Sequence, residues 1–291
     1  MKSRIHLLFG ILLLVPPQIT VAAADTLRYD ILEATEIAGE HSDYHGFDCC
    51  EFTFEGRSAK IVRPKLAAPG HPWLWRMRFW GHEPQTEIAL LRKGYHLVFC
   101  DPEELFGDAE NIAIWDSLYR RVVSGGLAPK AALIGFSRGG LYAYLWALKF
   151  PERVACIYAD APSLDFKSWP GGKGRGGGNP ALWELFKKEF GLASEEEALA
   201  WRGNPLDRAE EIAKGGYPML HICGDADVTV PIGENTDPFE KRVLAAGGRI
   251  TVIRKPGVGH HPHSLADPAP IVEFILRATG ESELPGARME E

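Results

Sequence analysis

Ala131-Ala-Leu-Ile-Gly135-Phe136-Ser137-Arg138-Gly139-Gly140-Leu-Tyr-Ala-Tyr-Leu-Trp-Ala-Leu-Lys-Phe150 carries more of the architecture than any other stretch of this chain. The apolar run Ala131 to Ile134 leads into Gly135-Phe136-Ser137-Arg138-Gly139, and an apolar helical pattern follows at once from Gly140 to Phe150. That order is strand, tight turn, helix, the form of a nucleophile elbow. The two glycines leave room for strained backbone, Ser137 stands at the top of a parallel sheet, and the helix behind it turns its positive N-terminus toward developing charge. Because Leu141 to Phe150 is apolar almost all round, this helix belongs at the centre of the sheet.

Outward from the elbow, short apolar runs alternate with helical patterns from about Trp73 onward, as in a parallel sheet wrapped by helices. Strands are expected at Leu74 to Trp80, Tyr95 to Cys100, Ala131 to Ile134, Val154 to Ala159, Met219 to Cys223 and Ile250 to Ile253. Ahead of them, Cys50 to Phe54 and Ala59 to Val62, joined through Glu55-Gly56, read as an antiparallel hairpin at a sheet edge, giving eight strands. Ile112, Trp115, Tyr119 and Val122 recur at helical spacing, as do Ile271, Phe274 and Ala278. Residues 162–216 break the alternation after the sixth strand and read as a lid over the serine. Within them Gly172, Gly174 and Gly177 match a dinucleotide fingerprint, but no strand leads in and no acidic residue follows at the required distance, so a lid loop is the better reading and no cofactor is implied.

The 291 residues carry a net charge of -7, which argues against a nucleic-acid partner. Lys2, Arg4 and His6, the apolar stretch Ile5 to Val15 and Ala22-Ala23-Ala24 have the three parts of a secretory signal peptide cleaved after Ala24. Removing it takes the charge to -9 and leaves one α/β domain over 25–280, a tail over 281–291, no expected membrane span, and an exported, periplasmic or secreted product. Cys100, Cys156 and Cys223 lie in apolar runs and read as buried small residues, whereas Cys49 or Cys50 has the option of pairing elsewhere. Neither the number nor the spacing of the five cysteines suggests a zinc site, and no metal is expected.

A serine hydroxyl needs a base, and the base an orienting acid. Two loops at carboxyl ends of strands supply them in order: Gly224-Asp225-Ala226-Asp227-Val228-Thr229-Val230-Pro231 and Gly257-Val258-Gly259-His260-His261-Pro262-His263. Asp227 is the expected acid, with Asp225 as a turn cap and Asp160 as an alternative acid at the end of the Val154 strand. His260 is preferred to His261 and His263 because Gly257 and Gly259 let the loop swing back toward Ser137. The oxyanion of a tetrahedral intermediate would be held by the backbone N–H of Arg138 and by that of His82, in the turn Trp80-Gly81-His82-Glu83-Pro84.

With these motifs in place, the chain resembles the α/β-hydrolase superfamily from about Phe47 to Thr279, and eight strands is the count that fold implies. Arg78-Phe-Trp-Gly-His-Glu-Pro-Gln85, Tyr158-Ala-Asp-Ala-Pro162, Asp165-Phe-Lys-Ser-Trp-Pro-Gly-Gly172 and Lys255-Pro-Gly-Val-Gly-His-His-Pro-His263 look like exported bacterial hydrolases of plant or algal glycan breakdown, among them carbohydrate esterases of the pectin methylesterase or acetylesterase kind. The resemblance implies a serine esterase acting on a methyl or acetyl ester of a sugar, with no cofactor. Trp80, Trp169 and Trp183 are candidates for stacking on sugar rings, and Arg78, Lys167, Lys173 and Arg175 for holding a uronate carboxylate, against the plainer reading of buried tryptophans and solvated lid charge. A serine peptidase of the same fold and a non-catalytic glycan-binding protein are the alternatives.

Overall fold

The computed structural model describes residues 29–103 and 106–280. The signal-peptide reading over 1–24 and the tail over 281–291 therefore lie outside the described residues. In chain order the elements are α1 (Ile31–Thr35), β1 (Glu40–Tyr44), β2 (Phe47–Phe54), β3 (Arg57–Arg63), β4 (Trp73–Arg76), α2 (Gln85–Leu91), β5 (His96–Cys100), α3 (Ala109–Ser124), β6 (Ala131–Phe136), α4 (Arg138–Lys149), β7 (Val154–Asp160), α5 (Pro180–Glu189), α6 (Glu195–Ala200), α7 (Ala209–Lys214), β8 (Met219–Gly224), α8 (Thr236–Ala245), β9 (Ile250–Lys255) and α9 (Ala269–Ala278).

The nine strands form one sheet in the order β1-β2-β3-β5-β4-β6-β7-β8-β9. Strands β1, β2 and β3 are antiparallel, as is the pairing of β3 with β5, and every pair from β5 to β9 is parallel. The expected hairpin is there, closed by Glu55 and Gly56 at positive φ. It is not the edge, however: β1, Glu-His-Ser-Asp-Tyr, adds a ninth strand outside it. Four of its five residues are exposed, so it has no apolar alternation to read, and only its ladder with β2 defines it.

Both faces of the sheet are covered. On one, α3, α4, α7 and α8 bury Trp115, Tyr142, Trp146, Ile212 and Phe239 against Trp73, Trp75, Val98 and Leu133. On the other, α2 and α9 bury Leu90, Leu91, Ile271 and Ile275 against Leu74, Leu97, Ile134 and Tyr158. All five cysteines are free and buried; Cys49 and Cys50, adjacent on β2, point to opposite faces and enter different cores, which removes the pairing option left open above.

Residues 162–216 carry three helices. Helices α5 and α6 pack Trp183, Phe186 and Ala198 with Phe106, Leu141 and Phe166 into an apolar cluster of their own, whereas α7 joins the main core through Ala209, Ile212 and Ala213. The glycine-rich loop leading to α5 folds back on itself: the Asn179 N–H donates to Pro170 O at 2.7 Å, and a Cβ on Gly178 would stand 2.6 Å from Gly172 Cα. A Cβ on Gly174 would meet the Glu234 carboxylate at 2.3 Å. Gly172 and Gly178 thus serve close backbone approach within the loop, and Gly174 leaves room for the Glu234 carboxylate. Among the described residues no helix is long and apolar enough to cross a membrane.

Candidate active site

Ser137 sits between β6 and α4 at φ 51° and ψ -118°, a left-handed backbone that L-residues adopt only when the surroundings enforce it. The enforcement is visible. Its N–H donates to Asp160 O at 2.8 Å, and its carbonyl accepts from the N–H groups of Gly140 and Ser163 at 3.0 and 3.1 Å. A Cβ on Gly135 would lie 2.4 Å from Gly139 O, and one on Gly140 would lie 2.4 Å from Pro162 Cβ. Gly139, the second glycine of the motif, is less demanding, since its Cβ would meet Arg78 Cβ at an ordinary 3.5 Å.

The acid and base loops leave β8 and β9, neighbours in register from Met219 opposite Ile250 to Gly224 opposite Lys255. Gly224 allows them to touch, because a Cβ there would stand 2.1 Å from Val258 O. The Asp225 carboxylate accepts from the Gly257 N–H at 2.6 Å, and Lys255 Nζ donates to Pro262 O at 2.5 Å and Ser264 O at 3.2 Å. Asp225 is thus a capping carboxylate, as expected, but it caps the histidine loop. Gly257 has the positive φ that the loop needs, at 70°, whereas Gly259 is not in the left-handed region.

This framework brings together the three residues expected from the sequence. His260 Nε2 lies 3.0 Å from Ser137 Oγ, and His260 Nδ1 lies 2.7 Å from Asp227 Oδ2. A carboxylate only accepts, so Nδ1 carries the proton and Nε2 offers its lone pair to the serine hydroxyl. The other oxygen of Asp227 accepts from the N–H groups of Thr229 and Val230 at 2.8 and 2.9 Å. Burial pushes the Asp227 carboxyl upward, but the His260 hydrogen bond and these N–H groups outweigh it and hold the group below its usual range.

Asp160, the alternative acid, belongs to a second pair. Its fully buried carboxylate accepts from His263 Nδ1 at 2.8 Å and from the Ser264 N–H at 2.7 Å, while His260 Nδ1 is bonded to Asp227. The imidazole of His263 stands with its ring centre 4.9 Å from that of His260, and His82 and His261 complete a cluster around it. Burial, followed by the proximity of His263, depresses the basicity of His82 and His261. No metal ligands were expected from the cysteines, but the tertiary fold assembles three imidazole nitrogens here, each within 4.8 Å of the others.

Of the two N–H groups expected to hold the oxyanion, one lies at a helix N-terminus beside Ser137 and the other is hydrogen-bonded elsewhere. Arg138 opens α4, and the first residues of a helix direct their N–H groups out of its N-terminal end, here beside Ser137. The His82 N–H is committed elsewhere, donating to Phe79 O at 3.2 Å within a tight turn made possible by positive φ at Phe79 and Gly81. The part of the turn that reaches the elbow is Arg78: its backbone N lies 3.6 Å from the Cβ position of Gly139.

The turn is held by a residue the sequence reading passed over. Arg76, fully buried at the end of β4, donates from Nε to Arg78 O at 2.8 Å and from a terminal nitrogen to Phe79 O and His82 O at 3.0 and 2.7 Å. It also pairs with buried Glu87 of α2 and stacks on Phe136 at 3.9 Å. An arginine inside Trp-Leu-Trp-Arg is the signal that was available. Asn235 was missed for the same reason. Buried after the acid loop, it accepts from the N–H groups of Leu164 and Asp165 at 2.9 and 3.3 Å and so anchors the start of the 162–216 segment.

The expected substrate contacts are mostly spent on structure. Arg78 is buried and donates to Glu103 O. Lys167 pairs with Asp165 at 3.0 Å, Lys173 pairs with Glu195 at 2.5 Å, and Arg175 is exposed with its backbone N–H on Glu234. Trp80 packs between Tyr44 and Phe99, at 4.9 and 5.3 Å, on the β1 side of the sheet, and Trp183 is buried against Phe186. Trp169 alone among the three tryptophans approaches the elbow, with its ring 5.7 Å from the Arg138 guanidinium.

No protein-family model and no curated protein matches the chain. Solved structures do. Porphyromonas gingivalis dipeptidyl peptidase 4 superimposes with a TM-score of 0.57 at 15% identity, over 82% of this chain and 35% of that one. Est1E from Butyrivibrio proteoclasticus gives 0.54 at 17% identity, over 84% of this chain and 100% of its own. The esterase rPPE, in a substituted form, gives 0.56 at 19% identity, over 89% and 83%. The chain spans about a third of the length of the dipeptidyl peptidase. Sheet order, elbow and these likenesses together show the α/β-hydrolase fold.

Proposed function

We propose that this protein is a serine hydrolase that cleaves carboxylic esters, with Ser137 as nucleophile, His260 as general base and acid, and Asp227 as the group that orients the imidazole. The observation that carries the reading is the unbroken hydrogen-bonded line from Ser137 Oγ through His260 to Asp227, at 3.0 and 2.7 Å. Ser137 Oγ attacks the ester carbonyl while His260 Nε2 takes its proton. The imidazolium is stabilised by Asp227 and returns the proton to the departing alcohol. Water, activated by the same imidazole, then releases the acid from the acyl-enzyme. In this reading the Arg138 N–H, at the N-terminus of α4, is one donor to the developing oxyanion, and the turn that begins at Arg78 is the source of a second.

The substrate class we favour is a methyl or acetyl ester on a plant or algal polysaccharide. It is supported by the sequence resemblance and by Trp169 near the side chain of Arg138, the residue after the nucleophile, and it fits an exported protein processed near Ala24. A peptidase is the second reading, favoured by the likeness to dipeptidyl peptidase 4. Proton NMR of the protein with a methyl-esterified, acetylated pectin separates them, with Ser137→Ala beside it. Methanol or acetate released only by the intact serine supports the glycan ester. Cleavage of a simple activated acetate without either product removes the pectin assignment, and release from dipeptidyl amides in its place supports the peptidase.

A further inference from the structure

The Ser137 line accounts for one of the two His–Asp pairs at this edge of the sheet. The other, His263 with Asp160, is more deeply buried, its carboxylate bonds His263 and Ser264 and not the side chains of Ser137 or Asp227, and its imidazole faces a cluster of others. We infer that His82, His261 and His263 form a binding site for a first-row divalent transition-metal ion of the Zn2+ class, with Asp160 as the carboxylate that orients His263.

Three observations carry it. The first is the donor set. Imidazole nitrogens suit zinc, copper, iron and nickel, and three of them leave a fourth position for water or a substrate oxygen. The second is the spacing. With metal–nitrogen distances of about 2.0–2.1 Å, an imidazole centre lies about 3.2 Å from the ion, and two such centres at a tetrahedral angle lie about 5.2 Å apart. The three ring centres are separated by 5.7 Å (His82 to His261), 5.6 Å (His82 to His263) and 4.6 Å (His261 to His263), which bracket that value. His82 and His261 are exposed and free to turn their nitrogens inward from the present spread of up to 4.8 Å.

The third is the support behind the cluster. Asp160 accepts from His263 Nδ1 and so fixes the tautomer in which Nε2 keeps its lone pair. A carboxylate behind a ligating imidazole is what metal sites use to set ring orientation and raise ligand basicity. Asp160 is itself held by the Ser264 N–H and the Tyr158 hydroxyl, at 2.7 and 3.3 Å. A second carboxylate, Glu83, stands 4.0 Å from His82 Nε2, so the cation would not enter an uncompensated basic patch.

An ion there would tie the turn that carries His82, already pinned by Arg76, to the loop that carries His260. The site is independent of the ester reading, since none of its three ligands belongs to the Ser137 line.

The test is calorimetric titration of the tag-free, chelator-treated full chain with Zn2+, with Co2+ absorption as a second readout. One equivalent bound at micromolar Kd or tighter is expected, with the visible spectrum of a tetrahedral cobalt centre. His82→Ala and His261→Ala should each weaken binding roughly 100-fold or more, and Asp160→Asn roughly 10- to 100-fold. His41→Ala, far along the sheet on β1, and Ser137→Ala should change nothing. His82 and His261 are surface residues, so both variants should keep the wild-type melting temperature without metal, while Zn2+ raises that of the wild type only. Substoichiometric binding, or undiminished affinity in both His82→Ala and His261→Ala, overturns the site. Loss of Ser137-dependent ester cleavage with Zn2+ binding intact would overturn the proposed function and leave the site standing.

Discussion

Replacing Arg76 by Met would separate two things this side chain does. It balances the charge of Glu87, and it holds three carbonyls of the turn that faces the elbow. Both side chains are almost completely buried, at 1% and 2% exposure, and the second carboxylate oxygen of Glu87 has no hydrogen-bond partner among the described residues. Removing one member of such a pair leaves a buried charge uncompensated, at a cost of about 3–5 kcal/mol. For a domain of this size that lowers Tm by about 6–20 °C. The turn also loses its three donors, and misplacing an oxyanion donor lowers kcat by up to about 100- to 1,000-fold. The double variant Arg76→Met/Glu87→Leu removes the orphaned carboxylate but does not rebuild the turn. It should therefore recover most of the Tm while kcat on p-nitrophenyl acetate stays at least about tenfold down. Thermal melts and initial rates on the two variants decide it. If the double variant regains wild-type kcat, Arg76 is only a charge partner and the positioning argument fails; if Arg76→Met melts like the wild type, the burial argument fails.

Three further outcomes follow from the geometry. Ser137→Ala and His260→Ala should each abolish ester cleavage, Asp227→Asn should lower kcat about 10,000-fold, and Asp160→Asn should lower the rate per folded molecule less than about tenfold, because its carboxylate faces His263; a collapse with Asp160→Asn would reassign the acid. Gly139→Ala should hold or slightly raise Tm, since its Cβ has ordinary contacts and alanine suits a helix, whereas Gly140→Ala should cost about 1–3 kcal/mol through the clash with Pro162; equal melting temperatures would refute this. Burial raises the Glu189 carboxyl to about 7, although the N–H groups of Phe106 and Asp108 pull it down. The native state then holds a proton that the unfolded chain releases, so stability falls as pH rises from about 4.5 to about 7. Glu189→Gln should flatten that slope in urea midpoints measured across the range, and an unchanged slope would place its origin elsewhere.

What the sequence determined by itself is whatever local pattern encodes. The apolar run, glycines and helix around Ser137 specify an elbow wherever the rest of the chain lies, and Asp227 and His260 follow strands that a parallel sheet must bring to the same edge. The parallel core strands were readable for the same reason, being continuous apolar runs, whereas polar β1 was not, since only pairing with β2 makes it a strand. Tertiary structure decided what depends on partners distant in sequence. It chose which of the aspartates serves His260, because Asp160 is taken by a histidine 103 residues away. It committed the His82 N–H to Phe79 and gave its side chain to a cluster with His261 and His263. It also turned Lys167 and Lys173 into ion-pair partners and made an arginine in an apolar strand the anchor of the turn beside the elbow. Charged and polar side chains have no periodicity that announces their partners, and burial without a partner is costly, so the fold's long-range pairings settle their roles.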